Sequence, residues 1–167
     1  MFQDESVFGR INNIVKCWAF GKARPTVFKQ LVREFRYLFG AVDPLTGDSC
    51  FRMFSHCDTI CMNVFLKEMS NDFKDDYILL ICDNASWHKS KGIVLPNNIE
   101  IMHIPPYTPE MNPIEQIWDE IKEKYFSNHI FSSIEEVMDR LCDAVKSLHN
   151  ELVYSITNRS WVGEQFN

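Results

Sequence analysis

Residues 77–84 read Tyr77-Ile78-Leu79-Leu80-Ile81-Cys82-Asp83-Asn84, an apolar run that ends on a carboxylate and an amide. Apolar side chains at both alternating positions are typical of a strand inside a parallel sheet, which is covered on both faces. In open α/β sheets, ligand sites lie beyond the carboxyl ends of such strands, where Asp83 stands. An Asp-Asn pair also forms turns and helix N-caps, so Asp83 by itself has two equally good interpretations.

A second informative stretch, residues 105–115, reads Pro105-Pro106-Tyr107-Thr108-Pro109-Glu110-Met111-Asn112-Pro113-Ile114-Glu115. Its prolines exclude regular structure up to Met111 and hold rigidly the helix that is predicted to start at Asn112. With Asn112 as N-cap and Pro113 at the first helical position, Glu115 falls at the third, as in a capping box. Glu115 is therefore either a cap or a metal ligand that the rigid loop aims.

The flanking segments predict an alternation of strands and helices. Strands are predicted over residues 2–7, 35–42, 49–54, 77–82 and 99–104, with a turn at 43–47 and an irregular or strand-like stretch at 10–25. Helices are predicted over residues 59–73 with Asp58 as N-cap, 86–93, 112–126 and 133–149, with one or two further turns in 151–167. This order predicts one α/β domain over residues 1–167, a mixed five-stranded sheet with helices on both faces.

Three acidic residues on separate elements predict a metal site. Asp4 and Glu5 are neighbours on a predicted strand, so their side chains leave on opposite faces and only one can join the site. We choose Asp4 because its shorter side chain suits a fixed ligand. Together with Asp83 and Glu115 it would bind Mg²⁺, and two such ions ~4 Å apart can activate a nucleophile and stabilise a phosphodiester leaving group.

Basic and aromatic residues follow Asp83. Trp87, His88 and Lys89 are predicted to contact substrate, through phosphate contacts and stacking on an unpaired base. The alternative is a solvated helix with one buried tryptophan. The net charge of −6 is unfavourable for binding a polyanion. A DNA partner would therefore require a local basic site on this chain or a DNA-binding surface that lies elsewhere.

Composition sets the broad class of protein. The apolar fraction of 46% and charged fraction of 24% are ordinary for globular proteins. The six cysteines are spread through apolar segments and are predicted to be buried free thiols, and the Cys57/Cys61 pair lacks a second pair to complete a zinc site. With no signal peptide and no apolar stretch of membrane-spanning length, we expect a cytoplasmic protein without a membrane partner.

Three stretches together resemble the DDE transposases of the mariner superfamily, in particular the bacterial insertion-sequence branch. They are residues 2–6 (Phe2-Gln3-Asp4-Glu5-Ser6), residues 83–90 (Asp83-Asn84-Ala85-Ser86-Trp87-His88-Lys89-Ser90), and the proline loop extended through Gln116-Ile117-Trp118. The resemblance implies an RNase H-like fold with Asp4, Asp83 and Glu115 as the catalytic, metal-binding carboxylates. It also implies cleavage of DNA at transposon ends and strand transfer into target DNA, dependent on two Mg²⁺ ions, with Mn²⁺ as a substitute.

The resemblance also raises expectations about partners. Relatives carry helix-turn-helix DNA-binding modules ahead of the catalytic domain, whereas this sequence starts three residues before Asp4. We expect end recognition to come from a missing segment or a separate product, and paired-end chemistry to require a homodimer associated with the bacterial nucleoid. The alternatives are another RNase H-like nuclease, such as a ribonuclease H or a junction resolvase, and a non-catalytic, DNA-associated remnant.

Overall fold

A computed structural model describes residues 1–22, 24–85, 90–105, 108 and 111–158. Its strands are β1 (Phe2–Ile11), β2 (Leu31–Val42), β3 (Ser49–Phe54), β4 (Ile78–Cys82) and β5 (Ile99–His103). Its helices are α1 (Thr59–Asp72), α2 (Glu115–Ile121), α3 (Ile134–Ser147) and α4 (Asn150–Thr157), and a π-helical turn, Lys122–Phe126, continues α2. The five predicted strands and the helices predicted at 59–73, 112–126 and 133–149 are confirmed, with shifts at their ends.

The five strands form one sheet in the order β3-β2-β1-β4-β5. β1 pairs antiparallel with β2, and β2 antiparallel with β3, while β4 runs parallel to both β1 and β5. β3 and β4 therefore point the same way, and α1 supplies the crossover that a parallel connection needs. The mixed five-stranded sheet is as predicted.

Helices cover the sheet on both faces, and each face has its own apolar core. The α1 core contains buried side chains of α1 packed on β2, β4 and β5, among them Phe39, Met62, Phe65, Leu66 and Leu80. The opposite core joins α2, α3 and α4 to β1, β2 and β4, among them Phe8, Leu38, Ile81, Trp118, Val137, Leu141 and Val153. Alternate residues of one strand thus serve different cores, which is the pleat of a covered strand.

β1 and β2 are longer than their sequences predicted. β1 continues to Ile11 and β2 begins at Leu31, and the two pair with each other over this extra length. The added residues pair in the β1–β2 ladder, Phe8 packs in the core, and Arg10 forms an ion pair with Glu34 (2.6 Å). These contacts depend on pairing between distant segments, so periodicity alone gave no signal. The result is a two-stranded ribbon that runs past the carboxyl end of β4.

The helix predicted at residues 86–93 is wrong in the part that the structure describes. Residues 86–89 lie outside the described ranges, and residues 90–93 form a turn closed by a hydrogen bond from Ile93 N to the Ser90 carbonyl (3.1 Å). The Ser90 hydroxyl accepts from the Gly92 amide (3.2 Å). Such a side-chain bond competes with helical pairing and favours the turn.

The cysteine prediction holds in part. All six cysteines are free thiols, as expected, and Cys50 and Cys82 are buried. Cys57 and Cys61 are half-buried, whereas Cys17 and Cys142 are exposed, contrary to the prediction. Among the described residues, no helix is long and apolar enough to cross a membrane.

Gly47 closes the β2–β3 hairpin with a φ of +80°, and a Cβ atom there would lie 2.0 Å from the carbonyl oxygen of Asn150 in α4. We expect Gly47→Ala to lower the free energy of unfolding by about 2–4 kcal/mol, because backbone strain and a steric clash add together. Gly21→Ala is the matched control, since Gly21 has a φ of +63° and no atom within 4 Å of the added Cβ. Gly21→Ala should lower the free energy of unfolding by only about 1–2 kcal/mol. Urea denaturation measures both variants, and equal losses would contradict this account.

Candidate metal centre

Asp4 and Asp83 lie at the same level of two neighbouring parallel strands. Phe2 of β1 pairs with Ile81 of β4, and each aspartate lies two residues further along its own strand. Asp83 directly follows the last residue of β4. The sheet therefore brings two carboxylates, 79 residues apart in the sequence, to one edge, at the carboxyl end of β4.

The backbone at Asp83 is held in place from the neighbouring strand. Nδ1 of His103, the last residue of β5, donates to the Asp83 carbonyl oxygen (2.8 Å), and the Asn84 side chain donates to the Ile104 carbonyl. Oδ1 of Asp83 accepts from the Ala85 amide (2.8 Å). The Asp-Asn turn considered from the sequence is therefore present, and it fixes Asp83 at the sheet edge.

Glu115 is the first residue of α2, and the predicted capping box does not form. Oδ1 of Asn112 accepts from the Ile114 amide (3.4 Å), whereas the Glu115 amide donates to the Asn112 carbonyl oxygen (3.2 Å). The N-cap position is Ile114, which makes no side-chain cap bond. Asn112 is 4% exposed, and its Nδ2 donates to the carbonyl oxygen of Gln3 (3.0 Å). Because Asn112 is engaged with β1, it joins the approach to α2 to the strand that carries Asp4, and the helix begins three residues later than predicted.

Glu115 interacts electrostatically with Asp4 and with Asp83. Burial raises the pKa of Asp4 to about 7; a hydrogen bond from Trp118 opposes this rise, and the charge of Glu115 adds to it. Burial also raises the pKa of Glu115, against the charge of Lys122, and the charges of Asp119 and Asp83 add to the rise. Glu115 thus interacts with both aspartates, as expected for acidic groups gathered without a cation.

Trp118 contacts Asp4 directly. Its Nε1 donates to Oδ2 of Asp4 (2.9 Å), and its ring, 1% exposed, packs edge-on against Phe8 and Phe51. Gly40 pairs with Asp4 across β1 and β2, and a Cβ at Gly40 would lie 2.7 Å from Cη2 of Trp118. The absent side chain at Gly40 therefore gives the indole ring the space it needs to reach the carboxylate.

Sequence reasoning missed the roles of Trp118 and Lys122, although a signal was present. They follow Glu115 by three and seven residues, a spacing that places all three on one face of a helix. The role of Gly40 had no local signal, because it depends on the β1–β2 register.

Glu5 lies on the opposite face of β1. It accepts a hydrogen bond from Nε2 of Gln3 (2.9 Å). Burial first, and the charge of Glu5 second, raise the pKa of the thiols of Cys57 and Cys82, which pack with the α1 core. Of the two neighbouring acids on β1, Asp4 is the one that faces α2.

The donor set suits a hard cation. Among the described residues, no three His, Cys, Asp or Glu side chains lie close enough together to hold one ion between them. Mg²⁺ needs fewer protein ligands, since it binds through one or two carboxylates and completes its shell with water and substrate phosphate. Pairs drawn from Asp4, Asp83 and Glu115 fit that chemistry. Asp119, one turn further along α2, is exposed.

Trp87, His88 and Lys89, which we predict to contact substrate, lie outside the described residues. They remain a prediction from sequence.

Asp4 gives the centre a testable pH dependence. Its pKa is about 7 in the folded protein and near 3.8 in the unfolded chain, so ionised Asp4 destabilises the fold increasingly as the pH rises from about 4 to 7. We expect Asp4→Asn to match the wild type at pH 4 and to be more stable at pH 8 in metal-free buffer, by up to about 4 kcal/mol. Thermal denaturation with EDTA measures this, and a variant less stable than the wild type at pH 8 would contradict the buried-charge account.

The fold and the acidic edge define a class: an RNase H-like α/β domain with carboxylates gathered beyond its parallel strands. Residues 1–138 match the family model described as DDE superfamily endonuclease, and the chain belongs to that family. The resemblance to DDE transposases drawn from the sequence is thereby confirmed.

Relatives of known structure have the same fold. The Mos1 transposase paired-end complex with left transposon end has a TM-score of 0.71, and the Mos1 mariner paired end complex with Mn one of 0.70. Each is 14% identical to this chain and covers 93% of it, while this chain spans 50% of the Mos1 chain. These likenesses confirm the RNase H-like fold. The uncharacterized protein y4pE/y4sA of Sinorhizobium fredii is 34% identical over 128 residues, which are 75% of this chain and 95% of that protein.

Proposed function

We propose that this chain is the catalytic domain of a DDE transposase, which cuts DNA at transposon ends and joins the freed 3′-hydroxyl to target DNA. The observation that carries the proposal is the meeting of Asp4 and Asp83 at one level of the sheet edge, with Glu115 of α2 coupled to both. Both reactions are in-line displacements at phosphorus, so one acidic centre can serve them.

Three residues of the centre would bind the metal ions, and two others hold these ligands in position. Asp4, Asp83 and Glu115 would hold two divalent ions, Mg²⁺ or Mn²⁺ in its place, which supply charge stabilisation to the attacking and leaving oxygens. Asp4 must be ionised to bind a metal ion, and because its pKa is about 7 it holds a proton at lower pH. Trp118 fixes the orientation of the Asp4 carboxylate, and His103 fixes the backbone of Asp83. Support for divalent ions comes from the Mos1 paired-end complexes with Mn and with Mg.

The partners follow from the same proposal. DNA is the substrate, at the transposon ends and at the target, and the complexes of Mos1 transposase with a transposon end and after strand transfer support this. Pairing two ends requires two catalytic domains, so the working form is a homodimer. A helix-turn-helix segment outside residues 1–167 recognises the ends. The place of action is the bacterial cytoplasm, at the nucleoid.

The first test is strand cleavage by the purified chain. Incubated with supercoiled plasmid and Mn²⁺ or Mg²⁺, the chain should produce nicked circles, and EDTA should stop the reaction. An RNA–DNA hybrid and a four-way junction serve as comparison substrates, because preferential cleavage of either would favour a ribonuclease H or a resolvase. If no substrate is cut and no metal is bound, the chain is a non-catalytic remnant.

A further inference from the structure

The segment between β1 and β2, residues 12–30, is basic and aromatic, and most of its described residues are exposed; we call it the basic arm. It contains Lys16, Lys22, Arg24 and Lys29 and no acidic residue, in a chain whose net charge is −6. The side chains of Trp18, Phe20 and Phe28 are 103%, 99% and 82% exposed. Aromatic rings left fully in water beside concentrated positive charge are what single-stranded nucleic acids bind.

The base of the arm is fixed to the domain. The buried side chain of Asn12 donates to the Phe28 carbonyl and accepts from the Gln30 amide, both at 2.8 Å, and so joins the two ends of the arm. Asn128 adds two further bonds, from its amide to the Asn13 carbonyl (2.8 Å) and from the Val15 amide to its Oδ1 (3.0 Å). The arm therefore leaves the domain at a defined place, next to the end of the π-helical turn.

The arm borders an open groove on the surface of the protein. The groove has a volume of about 480 Å³, and Lys16, Trp18 and Arg24 line it together with Ile14, Val15 and Pro25. Two cations beside an aromatic ring provide contacts for phosphate and for the face of a base, whatever the base is.

The arm follows the end of β1 that extends beyond the carboxyl end of β4, where Asp83 lies. β1 runs from Asp4 to Ile11 past the end of β4, a distance of ~23 Å at ~3.3 Å per residue. A DNA strand that leaves the carboxylates along this ribbon with the ~3.4 Å spacing of a B-DNA strand would reach the arm after roughly seven nucleotides, and a more extended unpaired strand would reach it after fewer. The arm and the carboxylates can therefore contact the same strand.

We propose that the basic arm binds unpaired DNA flanking the cleavage site, with Lys16 and Arg24 on the phosphates and Trp18 stacked on a base. This rests on the proposed function only in taking DNA as the substrate of the neighbouring centre. A symmetric contact between the arms of two copies is disfavoured, because an isologous interface would bring like charges together.

The test is binding of a fluorescein-labelled 20-nucleotide single strand, followed by anisotropy in EDTA so that no cleavage occurs. Trp18→Ala should weaken binding about tenfold through loss of one stacked base. Lys16→Gln with Arg24→Gln should reduce the slope of log affinity against log salt by about 1.4. Because these side chains are exposed, the melting temperature should not change.

Matched controls lie elsewhere on the surface. Tyr154→Ala removes an exposed aromatic of α4, and Lys67→Gln an exposed cation of α1, and both should bind like the wild type. The inference is overturned if the wild type does not bind the strand, if Trp18→Ala binds as well as the wild type, or if that variant changes only the sedimentation of the protein, which would indicate a second copy as partner. Binding without cleavage would support the arm and count against the proposed function, so the two can fail separately.

Discussion

Asp83→Asn should abolish metal-dependent DNA cleavage, and so should Glu115→Gln. Each removes one negative charge and one metal-binding carboxylate from the acidic edge, where Glu115 interacts with both aspartates. Loss of a ligand removes several kcal/mol of charge stabilisation from the transition state, which corresponds to at least about a hundredfold in rate. Plasmid nicking with Mn²⁺, measured over time, gives the rates.

Neither substitution should unfold the protein. In Asp83→Asn the new side-chain carbonyl can still accept from the Ala85 amide as the carboxylate does, and Glu115 makes no capping bond that Gln would lose. Asp119→Asn is the matched control, because Asp119 is an exposed acid one turn further along α2 and should keep most of the activity. Retained cleavage in Asp83→Asn or Glu115→Gln refutes the assignment of that residue.

Trp118→Ala should cause a large loss of stability. The indole is 1% exposed and packs between Phe8, Phe51 and the bare backbone of Gly40. Truncating a buried aromatic to alanine leaves a cavity and costs about 3–5 kcal/mol, a large part of the stability of an ordinary domain. Urea denaturation measures the loss, and a change below about 1 kcal/mol would contradict the packing described.

Trp118→Phe separates packing from hydrogen bonding. It keeps an aromatic ring but removes the Nε1–H that lowers the pKa of Asp4, so that pKa should rise further above about 7. Binding of Mn²⁺ competes with that proton, and its midpoint should move to higher pH in calorimetric titrations between about pH 6 and 9. Phe51→Leu disturbs the same packing without touching the hydrogen bond. It should leave the midpoint in place, and an equal shift in both variants would exclude a specific role for the indole donor.

The elements of the fold could be predicted wherever the sequence carried a local pattern. The apolar run before Asp83 gave β4, and turn residues between aromatic strands gave the β2–β3 hairpin, since these signals act within a few residues. The ribbon of β1 and β2 could not be predicted, because its two strands are held by pairing with each other across some twenty residues of sequence and carry no local alternation of apolar and polar residues. The contact between Asn112 and β1 could not be predicted either, because its bond to Gln3 joins residues 109 positions apart and depends on how α2 docks on β1.

The metal centre, too, could be predicted only where the sequence carried a local pattern. The motif around Asp83 and Glu115 pointed to two carboxylates, and strand alternation left Asp4 or Glu5 as the third. The structure directs Asp4 toward α2 and Glu5 toward the α1 core. The contact between Trp118 and Asp4 depends on Gly40, which lies opposite Asp4 only through the register of two antiparallel strands. No pattern within one segment encodes that register.

Diffraction from crystals soaked in Mn²⁺ tests the central claim most directly, because anomalous scattering locates the ions independently of activity. The account predicts manganese at the carboxyl end of β4, in contact with carboxylate oxygens of Asp4, Asp83 and Glu115. Crystals that take up manganese elsewhere, or that show none at this edge at about pH 8 where Asp4 is ionised, would contradict it.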